Sequence, residues 1–89
     1  MITIYDFYAE WCGPCKIMAP MLQEAVGKYN DVNLLKIDAD ENREKAVEFG
    51  VGSVPTLIFL KDDVEVSRLV GFQPTQKIVQ EIEKIKLLD

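Results

Sequence analysis

Hydrophobic and polar positions divide the chain into seven segments of regular structure. Residues 1–8 (MITIYDFY) are almost wholly apolar, β-branched or aromatic, with Asp6 the exception. Such a run reads as a strand covered on both faces, as in a parallel sheet. The period then becomes helical. Ile17, Met21, Ala25 and Tyr29 recur at that spacing, and Pro14 lies where a first turn tolerates proline, which predicts a helix over 12–29. Pro20 is expected to kink it, and Asn30-Asp31 supplies a turn. A second strand follows at 32–38 (VNLLKID). Asp40 reads as the N-cap of a short helix over about 41–49 that Gly50 stops. Beyond the loop Val51-Gly52-Ser53-Val54, a third strand runs from Pro55 to Leu60, and Asp62-Asp63 turns into a fourth at about 64–70. The last segment, about 75–87, sets Ile78, Ile82 and Ile85 on one helical face and charges on the other.

The order is βαβαββα: a parallel βαβ unit, a hairpin, and a closing helix. One α/β domain over residues 1–89, built on a four-stranded mixed sheet with helices on both faces, satisfies it. No internal repeat, low-complexity tract or linker-like run interrupts the pattern.

Composition narrows the chemistry. A net charge of −5 disfavours sequence-independent binding to nucleic acid or to an anionic membrane surface. The longest apolar stretches, about seven residues, fall far short of the ~20 that span a bilayer. The first residues have neither a basic region nor a small-residue cleavage site, so no secretory leader is expected. Without histidine, the Ser-His-Asp and Cys-His schemes and the usual zinc ligand sets are excluded. Two cysteine sulfurs remain as the most reactive atoms.

Those sulfurs sit in Trp11-Cys12-Gly13-Pro14-Cys15, where the first strand gives way to the first helix. Residues i and i+3 of a first helical turn share a face and lie within reach of a disulfide. Unpaired backbone N–H groups and the positive end of the helix dipole favour thiolate over thiol there. The carboxyl end of a parallel strand is also where open α/β folds place ligands. Cys12, at the tip, is expected to be the exposed, acidic attacker, and Cys15, one turn in, the more buried partner. The alternatives are a structural bridge or half of a metal site. Closing so short a loop constrains the unfolded chain little, and no third cysteine or histidine completes a metal set. Redox chemistry is the favoured reading.

Supporting residues gather around the pair. Asp6 shares its strand face with Ile2, Ile4 and Tyr8, so it should be buried with a raised pKa and able to trade a proton with Cys15. Its alternative is a partly solvated acid near a strand end. Lys36, on the adjacent strand, is a candidate partner for Asp6, or else a solvated edge lysine. Trp11, Gly71 and Phe72 are candidates for an apolar rim beside Cys12. Gly13 and Pro14 tune the turn rather than react. Met18, Met21 and the three isoleucines read as core.

At these residues the chain resembles the thioredoxin family. Asp6-Phe7-Tyr8-Ala9-Glu10-Trp11-Cys12-Gly13-Pro14-Cys15-Lys16 is similar to its active-site strand and helix start, and Pro20 to its helix-kinking proline. Lys36-Ile37-Asp38-Ala39-Asp40-Glu41-Asn42, Val54-Pro55-Thr56 and Gly71 resemble its lysine-bearing strand, its cis-proline motif and its groove-closing glycine. The resemblance covers essentially the whole chain. Tyr8 stands where a tryptophan is usual and Asp63 where the hairpin usually has glycine. The strand and helix that normally come first are missing, which should leave 32–38 as an exposed sheet edge.

The resemblance implies a protein disulfide reductase working by dithiol–disulfide exchange, with catalytic Cys12, Cys15, Asp6 and Lys36 and redox-tuning Gly13, Pro14 and Pro55. It implies that Trp11, Val54, Pro55, Gly71 and Phe72 bind substrate, with Val54-Pro55 cis and the Val54 backbone pairing with the substrate peptide. No bound cofactor or metal is expected, and an external reductant, thioredoxin reductase or a thiol pool, would recharge the dithiol. Partners would be disulfide-containing proteins and a thioredoxin reductase or glutathione system, for a cytoplasmic monomer that binds neither nucleic acid nor membrane. A glutaredoxin-like protein recharged by glutathione, or a binding module whose cysteines are bystanders, are the alternatives.

Overall fold

The structure is a computed structural model that describes residues 1–88. The elements follow the expected order: β1 (Ile2–Tyr8), α1 (Gly13–Val26), β2 (Val32–Asp38), α2 (Arg43–Glu48), β3 (Thr56–Lys61), β4 (Val64–Val70) and α3 (Thr75–Lys86). They form a four-stranded sheet in the order β2-β1-β3-β4. β1 pairs with β2 in parallel and with β3 antiparallel, and β3 pairs antiparallel with β4. Among the described residues no helix is long and apolar enough to cross a membrane.

Two cores flank the sheet. On one face Ile2, Ile4, Val32, Leu57 and Phe59 pack under Met18, Leu22 and Ala25 of α1 and Ile78, Ile82 and Ile85 of α3. On the other, Phe7, Ile58 and Leu60 pack with Ala46 of α2, and Tyr5 meets Phe49 edge-to-face at 5.4 Å. β1 is thus covered on both sides, which accounts for its unbroken apolar run.

Several expectations need correction. The buried stripe of α1 is Cys15, Met18, Leu22 and Ala25, whereas Ile17 is 61% exposed and Met21 is only half-buried. Steps of four residues drift about 40° per step around a helix, while alternating steps of three and four stay on one face. α1 also ends at Val26, capped by Gly27, rather than at residue 29. Pro20 lies inside it; it has no N–H to give the carbonyl one turn back. Asp40 does not cap α2. Asp38 Oδ1 instead accepts the N–H groups of Asp40 and Glu41, at 2.9 and 3.3 Å, and the helix starts later with Asn42 as its cap residue. Gly50, with φ +66°, stops α2 as expected.

Among the described residues β2 stands at one edge of the sheet. Asp31 C=O accepts from Ile2 N–H, and Ala39 N–H donates to Tyr8 C=O, so the odd-numbered residues of β2 turn their backbone toward β1. Val32, Leu34, Lys36 and Asp38 therefore turn theirs outward, with Leu35 52% exposed beside them.

The β3–β4 hairpin turns on two aspartates, both with positive φ: Asp62 at 52° and Asp63 at 69°. This is the type I′ pattern, whose second position favours glycine. Asp63→Gly is therefore expected to stabilise the protein by about 0.5–1 kcal/mol. Thermal unfolding should register it as a rise of a few degrees in Tm.

Candidate active site

The site is built where β1 hands over to α1. Cys12 N–H donates to Ala9 C=O at 3.1 Å, closing the turn that leaves the strand. Cys12 then occupies the N-cap position in extended geometry, with Pro14 in the first turn. Its Sγ accepts the backbone N–H of Cys15 at 3.2 Å, satisfying one of the orphan donors of the helix start. Cys12 and Cys15 are joined by a disulfide, their Cα atoms 5.3 Å apart.

Cys12 is not the exposed tip that the sequence suggested: it is 3% exposed, against 7% for Cys15. With the two sulfurs bonded, the Cys12 side chain folds back onto the helix start and packs with Ala9, Tyr8 and Val54. What projects is its surroundings, Trp11 at 72% exposed together with Gly13 and Pro14.

Asp6 is buried at 3%, and its Oδ1 has no hydrogen-bond partner. Burial pushes its pKa up to about 6, while the charge of Lys36 pulls the other way. Asp6 alternates with Ile2 and Ile4 along β1 and pairs with Leu57 of β3, all three of these neighbours in the core under α1. Lys36 makes no ion pair with Asp6. Its ammonium lies over the Tyr8 ring, 4.7 Å from the centroid.

Val54-Pro55 is a cis peptide bond, Pro55 is buried, and Val54 packs against the cysteines. Gly71, at φ +91°, donates its N–H to Pro55 C=O at 2.8 Å, a conformation open to glycine and strained for other residues. It leads into Phe72, 43% exposed. Two depressions border the disulfide. An open groove of about 330 Å³ is lined by Trp11, Asp40, Arg43, Val47, Val51 and Val54, and a hollow of about 250 Å³ by Tyr8, Glu10, Cys15, Lys16, Ala19 and Lys36.

Sequence reasoning missed one functional contact. The Trp11 indole N–H donates to Asp40 Oδ2 at 2.8 Å, across 29 positions of chain. Nothing in local spacing signals a bond so distant in sequence. Tyr8, expected on the strand face of Asp6 but given no role, also proves to be the seat of Lys36.

Comparison with known proteins agrees with this geometry. The family model described as thioredoxin matches residues 1–84. The thioredoxin of Staphylococcus saprophyticus is 49% identical over 84 residues, covering 93% of this chain and 81% of that protein. The Staphylococcus aureus thioredoxin is 43% identical with the same coverage. Among solved structures, a mutant thioredoxin from Halobacterium salinarum superposes with a TM-score of 0.89 at 38% identity, covering 99% of this chain and 77% of its own. A thioredoxin from Nicotiana alata gives 0.87 at 43% identity, with 93% and 71% covered.

The raised pKa of Asp6 carries a stability signature. A carboxyl that titrates near 6 when folded and at 3.8 when unfolded favours the native state below pH ~4 and loses that advantage as pH rises to ~6. Asp6→Asn removes this dependence. Denaturant titrations of the oxidised protein should show the variant gaining about 3 kcal/mol on the wild type between pH 3.5 and 7.

Proposed function

This chain belongs to the thioredoxin family and is a thiol–disulfide oxidoreductase; from there we propose that it runs in the reducing direction, on the disulfides of other proteins. The observation that supports this most is the sulfur pair itself: Cys12 caps α1, within bonding reach of Cys15, beside an apolar groove.

In the proposed cycle the reduced Cys12 thiolate, favoured by the N–H groups and dipole at the start of α1, attacks one sulfur of a substrate disulfide. A mixed disulfide forms and one substrate thiolate leaves. Asp6, ionised above its pKa of about 6, takes the proton of Cys15. The Cys15 thiolate attacks Cys12 Sγ, the second substrate thiolate leaves and takes up a proton, and the disulfide seen here is restored. The partner's two sulfurs are reduced by the two electrons that the cysteines give up.

Trp11, Val54, Pro55, Gly71 and Phe72 form the proposed substrate rim, with the Val54 backbone, next to the cysteines, as the pairing edge for an extended peptide. Gly13 and Pro14 shape the turn that sets how readily the dithiol oxidises. Lys36 is proposed to act on Asp6 through its charge rather than by contact. The reading needs no bound cofactor: a thioredoxin reductase or a thiol pool returns the electrons. It suits the reducing conditions of the cytoplasm.

Trapping experiments test the cycle. Cys15→Ser should accumulate a mixed disulfide at Cys12 with substrate proteins, while Cys12→Ser should abolish disulfide reduction. If Cys12→Ser and Cys15→Ser retained the biological activity, the chain would be a binding module instead. Asp6→Asn should slow resolution of the mixed disulfide by about 10²-fold at pH 7, measured by rapid quench. Turnover with thioredoxin reductase, set against turnover with glutathione and its reductase, distinguishes the two recharging systems.

A further inference from the structure

Asp6 and Lys36 are direct partners in the β1–β2 register, on the face that α1 covers. Neighbouring strands stand about 4.8 Å apart, a gap that a lysine stem readily crosses. The backbone alone therefore favours an ion pair between them. None forms: Asp6 Oδ1 has no partner, and Lys36 Nζ lies over the ring of Tyr8, two residues further along the same face of β1. Tyr8 is the diagonal cross-strand neighbour of Lys36, at a separation that a long side chain and an aromatic ring can bridge.

We propose that Tyr8 is a positioning residue whose ring holds the Lys36 ammonium at the rim of the hollow, away from the Asp6 carboxyl, leaving that carboxyl unpaired. The proposal rests on the proton-acceptor role given above to Asp6. An ammonium over an aromatic face keeps its outer side in water, whereas one drawn down to Asp6 gives up hydration. A carboxylate tied to a lysine is a weaker base than an unpaired one, so the ring preserves the proton affinity that Asp6 brings to Cys15.

The charges around this arrangement leave the ring able to do so. Burial, and then Asp38, Glu10, Asp6 and Glu41, push the Tyr8 phenol above its ordinary value, so the ring stays neutral. Beside Asp6 in the sheet stand Lys36 on β2 and Leu57 on β3. α1 and the β1 exit bring Cys15, Lys16 and Glu10 to the hollow. α3 presents Ile78, Ile82 and Ile85 to this core, while its buried Glu81 bonds Ser67 and pairs with Lys84. Lys36 is the one charge among them that moves the Asp6 carboxyl.

The test is a carboxyl carbon NMR titration of Asp6 in the oxidised protein. Tyr8→Phe, which keeps the ring, should leave the midpoint unchanged. Tyr8→Leu, which frees Lys36, should lower it by about one pH unit. Lys36→Met should raise it, and adding Tyr8→Leu to Lys36→Met should then have no further effect. A Tyr8→Leu midpoint that stays put, or that falls equally without Lys36, overturns the proposal. A measurement on the unaltered fold keeps it falsifiable if Tyr8→Leu unfolds: the Lys36 ε-methylene protons should be shifted upfield by the ring in the wild type, and their absence from that position refutes the placement. The pH profile of mixed-disulfide resolution should follow the Asp6 midpoint through the same series. If the midpoint moves as stated while the rate ignores it, the ring's role stands and the proton-acceptor role of Asp6 falls.

Discussion

The hydrogen bond from the Cys15 backbone N–H to Cys12 Sγ is the contact on which the site turns. A helix that begins at the mouth of a sheet has backbone donors with no intrahelical acceptor, and here a sulfur fills the role that serine or aspartate usually takes. The same atom is then cap, disulfide partner and, in the proposed cycle, the nucleophile once reduced. This arrangement depends on the whole βαβ unit. β1 must be held rigidly between β2 and β3, and α1 must lie on it through Met18, Leu22 and Ala25, for the cap to be presented at the sheet's carboxyl edge.

Beneath that cap, the fold tolerates an unfavourable group. Asp6 is buried without a hydrogen-bond partner on its Oδ1, between apolar neighbours on β1. Its ionised form is costly there, which is the physical meaning of a carboxyl that titrates near 6. A leucine in its place would strengthen the core but, on the proposed cycle, would remove the group that takes the proton of Cys15. On that reading stability and chemistry pull in opposite directions at this residue, inside a core that runs from Ile4 to Ile82.

What could be read from the sequence follows from the range of each interaction. The seven elements were legible because their signals are local: a strand with no polar gap, glycine at the end of α2, isoleucines spaced around α3. The stripe of α1 was misread because Ile17, Met21, Ala25 and Tyr29 imitate a face while drifting around the helix. The burial of Cys12 was not legible, since its cover includes Val54, which is far away in sequence. Asp40 was assigned to the nearest helix start although its carboxylate is committed to an indole far away in sequence. Asp6 was readable from strand alternation, yet the direction in which Lys36 leans was not, because side chains on two strands compete for that ammonium.

The bond between Trp11 and Asp40 joins the segment entering α1 to the turn entering α2, along one wall of the groove. Two loops 29 positions apart in the chain are thereby tied to each other beside the groove. Under the proposed function, an incoming disulfide meets two loops already tied to each other, with less ordering left to be done on this side of the encounter.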